Sequence, residues 1–162
     1  MKRLWAPWRM TYIRNLLKQK GCVLCREQKR RSGLVIAHGR TCFALLNKYP
    51  YNTGHLMVAP YAHKGSLARM TDPERLELVS LTAEMQALLD ERMAPQGYNL
   101  GINFGRVAGA GVPGHLHLHI VPRWNGDTNF FPITTGVKVM PMALSELRRL
   151  LTKKKQTGNR RR

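Results

Sequence analysis

Acidic side chains are scarce in this chain: 9 Asp and Glu stand against 27 Lys and Arg, a formal charge of +18 over 162 residues. A balance this basic favours polyanionic partners, whether nucleic acid, an acidic membrane surface or phosphorylated small molecules, and does not choose among them. Long apolar runs are missing as well. None approaches the length needed to span a bilayer, and the opening MKRLWAPWRM lacks the apolar stretch of a secretory signal. Cysteine is limited to Cys22 and Cys25, in a C-x-x-C, and to Cys42 alone. An odd count in a chain of this kind argues against a disulfide framework, so the cytoplasm is the expected compartment. With no internal repeat and no long linker, the length fits one domain around a single core.

The positive charge is concentrated at the ends. Lys and Arg crowd residues 1–31 and the stretch from Arg148 to Arg162, while the middle of the chain is close to balance. Residues 152–162 are expected to form a disordered basic tail that touches polyanions, nucleic acid included, without specificity, leaving 1–151 as the domain.

Between those ends the pattern is that of a small mixed domain. Leu34–Asn47 reads as two strands around a His-Gly-Arg turn, and Gly54–Pro60 as a third after YPYNTG. From Pro73 to about Met93 the spacing becomes helical, with Asp72 or Thr71 as cap, Pro95 at the exit, and Leu78, Leu81, Met85 and Leu88 as the core stripe. Tyr98–Gly105 reads as a fourth strand, the histidine-rich stretch from Gly114 to Trp124 as a fifth, and Met142–Leu151 as a terminal helix. Helices segregated from a run of antiparallel strands give an α+β domain.

Against this ordinary background, GHLHLHIVP (Gly114–Pro122) holds three of the six histidines at alternate positions. On a strand His115, His117 and His119 share one face, and Leu116, Leu118 and Ile120 the other. The leucine face has a core to enter, but imidazoles are expensive to bury without partners. One metal ion cannot be held by all three, because residues i and i+4 of a strand lie about 13 Å apart. Nucleophilic catalysis fits better: a neutral imidazole attacks phosphorus, a second nucleophile resolves the phosphoramidate, and neighbouring histidines bind phosphate and protonate the leaving oxygen.

Two weaker signals flank this one. GRVAGAGVPG (Gly105–Gly114) lacks the Lys-Ser/Thr of a P-loop, yet consecutive glycines can turn backbone N–H groups into a concavity for phosphate oxygens; a flexible hairpin loop is the plainer alternative. Cys22 and Cys25 are half of a tetrahedral zinc site, with no second C-x-x-C to finish it. His63 and His115 are the available remainder, while a redox pair or free surface thiols are the alternatives.

Taken in order, these motifs resemble the histidine triad (HIT) family of nucleotide hydrolases and transferases, whose signature is H-φ-H-φ-H-φ-φ. The resemblance runs from LWAPWR through the C-x-x-C, NKYPYNTGHLMVAP and GINFGRVAGAG to HLHLHIVPRWNGDTNF. It points to the Fhit-like branch, especially bacterial and archaeal diadenosine polyphosphate hydrolases and phosphorylases. It implies an α+β fold with an antiparallel sheet of about five strands, a long helix across it, a short C-terminal helix, and a homodimer whose sheets join. It implies His117 as the nucleophile that becomes nucleotidylated and His119 on the α-phosphate near His55. Asn47 then matches a ribose contact and Asn103 a phosphate or ribose contact, with backbone groups of Gly109, Gly111 and Gly114 around the phosphates. In zinc-containing members the ligands match Cys22, Cys25, His63 and His115, and the ion is structural.

The implied reaction is cleavage of adenosine polyphosphates, such as diadenosine tri- or tetraphosphate, through a covalent nucleotidyl-histidine that water or inorganic phosphate releases. One departure is Gly111, where many relatives carry Gln, Ser or Thr; that contact is left to backbone donors. A Hint-like phosphoramidase is the enzymatic alternative, and a nucleic-acid-associated basic module the non-enzymatic one. No membrane role is expected.

Overall fold

A computed structural model describes residues 21–29, 33–127 and 140–153. The expectations for LWAPWR, for the TNF that follows Asp127 and for the basic tail beyond Lys153 lie outside the described residues.

The elements in chain order are α1 (Val23–Glu27), β1 (Val35–His38), β2 (Cys42–Leu46), β3 (Leu56–Pro60), a 3-10 turn (Leu67–Arg69), α2 (Asp72–Met93), β4 (Gly97–Ile102), β5 (Leu118–Arg123) and α3 (Leu144–Thr152). The strands form one antiparallel sheet in the order β1-β2-β3-β5-β4. The α+β architecture expected from the sequence is the one observed.

The long helix is delimited by its sequence. Thr71 is the N-cap: its hydroxyl accepts the Glu74 N–H at 3.4 Å, and the Glu74 carboxylate accepts the Thr71 N–H at 2.7 Å. At the other end Ala94 takes a left-handed conformation, φ 45°, and Pro95 prevents continuation. Leu78, Leu81, Met85 and Leu89 are its buried apolar side chains. Leu89, not the expected Leu88, is the fully buried member, because Leu88 sits at the margin of the contact.

The sheet is covered on both faces. Cys42, Ala44 and Leu46 of β2, Leu56 and Val58 of β3 and Ile120 of β5 pack with α2 and with Leu147 and Leu151 of α3. Phe43, Leu45 and Ala59 point the other way, against Leu24 of α1. This is why all five residues of β2 are buried and alternation is invisible there. The β1–β2 turn is clamped by Glu77 of α2, whose carboxylate accepts the N–H groups of Arg40 at 2.7 Å and Cys42 at 3.0 Å, and both the N–H and hydroxyl of Thr41. Burial pushes that carboxyl's pKa up, but the donors outweigh it and hold it at about 2. A side chain at Gly39 would place its Cβ 2.5 Å from Glu77 Oε1, so any other residue there would have to displace the clamping carboxylate.

β5 starts later than expected, at Leu118, so His115 and His117 precede the strand. Alternation survives regardless. Leu116 and Ile120 enter the helix-side core, and the histidines between them face the opposite side.

Candidate functional site

All three histidines of the motif are buried, His115 at 0 %, His117 at 5 % and His119 at 9 % exposure, and His55 joins them at 0 %. His55 immediately precedes β3, in which Met57 pairs with His119, so its side chain falls on the same sheet face. The structure thus gathers His55, His117 and His119 into one cluster, with ring centroids 5.1 Å apart for His55 and His119 and 4.9 Å for His117 and His119.

Backbone groups, whose donor or acceptor roles are fixed, decide the tautomers. The Nδ1 of His117 lies 2.8 Å from the His115 carbonyl. A carbonyl only accepts, so Nδ1 carries the proton and Nε2 keeps a lone pair. The Nδ1 of His55 lies 3.0 Å from the Tyr51 backbone nitrogen, an N–H that only donates. His55 therefore carries its proton on Nε2 and donates it to His119 Nδ1 at 2.9 Å. His119 in turn carries its proton on Nε2. Burial, with the neighbouring His117 second, lowers the His119 pKa to about 4, and burial lowers that of His117 against the pull of its carbonyl bond. Both rings are neutral at pH 7.

Asn47 borders this cluster. Its amide nitrogen lies 3.3 and 3.4 Å from the two ring nitrogens of His55, which places it over the ring and not in line with either lone pair. Asn103 follows directly on β4, whose last residue pairs with Leu118, and so continues the sheet beside His117.

A second cluster sits at the other end of the same segment. Cys22, Cys25, His63 and His115 bring their ligand atoms within 4.8 Å of one another. Cys22 Sγ and Cys25 Sγ each lie 3.3 Å from His115 Nδ1, and Cys25 Sγ lies 3.3 Å from His63 Nδ1. A sulfur–nitrogen edge of a tetrahedral zinc site measures about 3.6 Å, so the spacing suits such an ion. His115 Nε2 donates to the Pro60 carbonyl at 2.8 Å, which turns the Nδ1 lone pair toward the thiols. These residues fit a metal ion of the zinc type.

The next residue, Lys64, is anchored as well: its ammonium meets Glu74 at 2.6 Å, and its carbonyl accepts the Leu116 N–H at 2.6 Å. The glycine-rich loop is partly committed to itself. Gly109 N–H donates to the Arg106 carbonyl at 3.0 Å and Ala110 N–H to that of Gly105 at 3.1 Å, which withdraws the Gly109 donor from the expected phosphate cradle. Gly114 has a reason the sequence did not reveal: a Cβ there would come within 3.2 Å of His63 Nε2.

Sequence reasoning also missed Tyr51, Asn52 and Asp127. The Asn52 amide donates to Asp127 Oδ2 at 2.7 Å and to the Pro122 carbonyl at 3.0 Å. YPYN was visible as a turn signal and as part of the resemblance, and the later NGD as part of the resemblance alone, with nothing to link them across the chain.

An antiparallel sheet presenting alternating histidines and a fourth imidazole on one face is the arrangement of a histidine triad protein. The profile of the HIT domain matches residues 28–126, and the chain belongs to that family. It is 39% identical over 161 residues to a protein of Mycobacterium tuberculosis (strain ATCC 25618 / H37Rv) named AP-4-A phosphorylase, covering 93% of this chain and 83% of that one. Over 84 residues, 52% of this chain and 46% of the other, it is 32% identical to the asymmetrical bis(5'-nucleosyl)-tetraphosphatase of Schizosaccharomyces pombe. Among solved structures, a Zn-bound histidine triad family protein from Mycobacterium smegmatis superposes with TM-score 0.66 at 25% identity, over 82% of this chain and 91% of that chain.

Proposed function

We propose that this protein is an enzyme that cleaves adenosine polyphosphates, such as diadenosine tri- or tetraphosphate, at the α-phosphate through a nucleotidyl-His117 intermediate. The observation that carries this reading is the bond from His117 Nδ1 to the His115 carbonyl at 2.8 Å, which leaves Nε2 with its lone pair on a neutral, buried ring. Nε2 attacks the α-phosphorus; the P–N bond forms and the bond to the departing nucleotide's oxygen breaks. His119, oriented by His55, offers its Nε2–H to a phosphate oxygen, which stabilises charge as it develops. Asn47 contacts ribose, Asn103 the ribose or phosphate, and the backbones of Gly111 and Gly114 the phosphates. An acceptor oxygen then attacks the same phosphorus, and the P–N bond breaks.

The acceptor is water, giving AMP, or inorganic phosphate, giving ADP. The name of the M. tuberculosis relative supports phosphate. Incubation with diadenosine tetraphosphate, with and without phosphate, tests both: ATP with AMP marks hydrolysis and ATP with ADP phosphorolysis. Absence of turnover under either condition would refute the reading.

The four-donor cluster is assigned a structural zinc ion. Four protein ligands leave no open coordination position, so the ion ties α1 to the end of β3 and to the triad segment and takes no part in the transfer. The domain comprises residues 1–151, in the cytoplasm, and the basic ends add non-specific nucleic-acid contact. A homodimer through β4 is supported by that strand's place at the edge of the sheet and by the exposed Leu100 on it. Among the described residues no helix is long and apolar enough to cross a membrane.

A further inference from the structure

We propose that Asn52 and Asp127 are positioning residues for the His55–His119 pair, fixing which ring nitrogen of each carries the proton. This rests on the nucleotidyl-transfer reading, in which His119 must present an N–H to phosphate.

His55 Nδ1 receives the Tyr51 N–H only while residues 47–55 keep their turn. The base of that turn is closed by the Asn47 N–H on the His55 carbonyl at 3.0 Å and the His55 N–H on the Asn52 carbonyl at 3.2 Å. Its outer corner is held from elsewhere. The buried Asn52 side chain donates through Nδ2 to Asp127 Oδ2 and to the Pro122 carbonyl, and an amide nitrogen has a hydrogen for each. Asp127 is itself fixed by Arg123, through Nε at 2.6 Å and Nη2 at 2.8 Å, and by the Trp124 N–H at 3.2 Å.

A second observation shows that the turn has no slack against β5. Gly54, at φ +81°, lies where a Cβ would meet Pro122 Cγ at 2.8 Å. β5 therefore carries His119 in its body and, at its end, the anchor of the turn that orients His119's partner.

The consequence follows from proton placement. With the turn held, Tyr51 donates to His55 Nδ1, His55 Nε2–H donates to His119 Nδ1, and His119 Nε2–H faces outward from the pair as a donor. With the turn released, His55 carries its proton on Nδ1 and its Nε2 becomes an acceptor. His119 then donates from Nδ1 and is left with a lone pair on Nε2, which repels a phosphate oxygen. No proton is gained or lost by the pair; each ring exchanges one nitrogen for the other through solvent.

Two-bond proton–nitrogen spectra of the full-length, metal-loaded protein read these tautomers directly. In the wild type both His55 and His119 are expected as Nε2–H. Asn52→Ala should populate the Nδ1–H form at His55 and lower kcat by about 10- to 100-fold, with KM changed by no more than about twofold. Asp127→Asn, which retains one acceptor oxygen, should shift both in the same direction but less. Tyr51→Ala keeps the backbone N–H and should keep the wild-type tautomers. A wild-type His55 protonated on Nδ1 overturns the proposal even if the variants fail to fold. So does an Asn52→Ala protein with wild-type tautomers and kcat, whatever its melting temperature. A wild type that turns over no dinucleotide defeats the transfer reading alone, since the spectra still judge the relay.

Discussion

His115 and His117 stand two residues apart on one segment, both buried, both hydrogen-bonded to a backbone carbonyl, and their environments suit opposite tasks. For His115 the carbonyl of Pro60 takes Nε2 and leaves Nδ1 to the thiols of Cys22 and Cys25. For His117 the carbonyl of His115 takes Nδ1 and leaves Nε2. The metal-type cluster brings four donor atoms within 4.8 Å of one another, whereas in the other cluster His55 donates to His119 and His117 donates to the His115 carbonyl. The nitrogen that the backbone occupies decides which lone pair each ring leaves available, Nδ1 at His115 and Nε2 at His117.

The sharpest way to break this comparison is His117→Ala. Turnover of diadenosine tetraphosphate should fall by at least about 10⁴-fold while nucleotide binding persists, because the proposed mechanism forms its covalent bond at this ring alone. Mass spectrometry of wild type quenched during turnover should find an acid-labile AMP adduct on His117; an adduct on His119 or His55 would assign the nucleophile wrongly here.

Next in size is the metal cluster. Cys25→Ser should leave well under one zinc per chain by elemental analysis and lower unfolding free energy in denaturant by several kcal/mol, since binding energy at such a site is folding energy. Unchanged stability on full metal loss would place the ion outside the architecture. For His119→Ala, steady-state kinetics should show a loss of about 10²–10³-fold in kcat, the scale of one transition-state hydrogen-bond donor.

The smallest effect is in pH. His119 titrates near 4 in the fold against 6.5 ordinarily, so the unfolded chain binds the extra proton first as pH falls. Stability contributed by the neutral ring is thus intact above about 6.5 and is lost progressively down to about 4, by roughly 3 kcal/mol for an ideal single site. Denaturant unfolding of wild type and His119→Gln across this range should show a shallower acid limb in the variant; identical limbs would remove His119 from the account.

Much of this was legible in the sequence because it depends on parity and local chemistry. Alternation put His115, His117 and His119 on one face even though β5 begins only at Leu118, and Thr71, Pro73 and Pro95 bounded the long helix. The four-residue metal cluster came from combining half a site with the resemblance. What escaped was non-local: Asn52 and Asp127 are 75 positions apart, and Gly109 looked like a phosphate donor until its N–H was found on Arg106. The tautomers were equally hidden, because the carbonyl of Pro60 has no side chain to announce it. Leu88 against Leu89 was a matter of helix rotation that a stripe of leucines does not resolve.

The passage between β3 and α2 has the look of a surface connection, the kind that tolerates lengthening. Three consecutive residues argue otherwise. His63 reaches the cysteine cluster, Lys64 grips the first turn of α2 with its side chain and Leu116 with its carbonyl, and Gly65 lies where a Cβ would sit 3.1 Å from the Pro113 carbonyl. The segment is in effect a spacer of fixed gauge between the helical layer and the histidine face. An evolving or engineered chain could extend it within the exposed 3-10 turn, but a single residue inserted between Pro60 and His63 would throw all three anchors out of step at once.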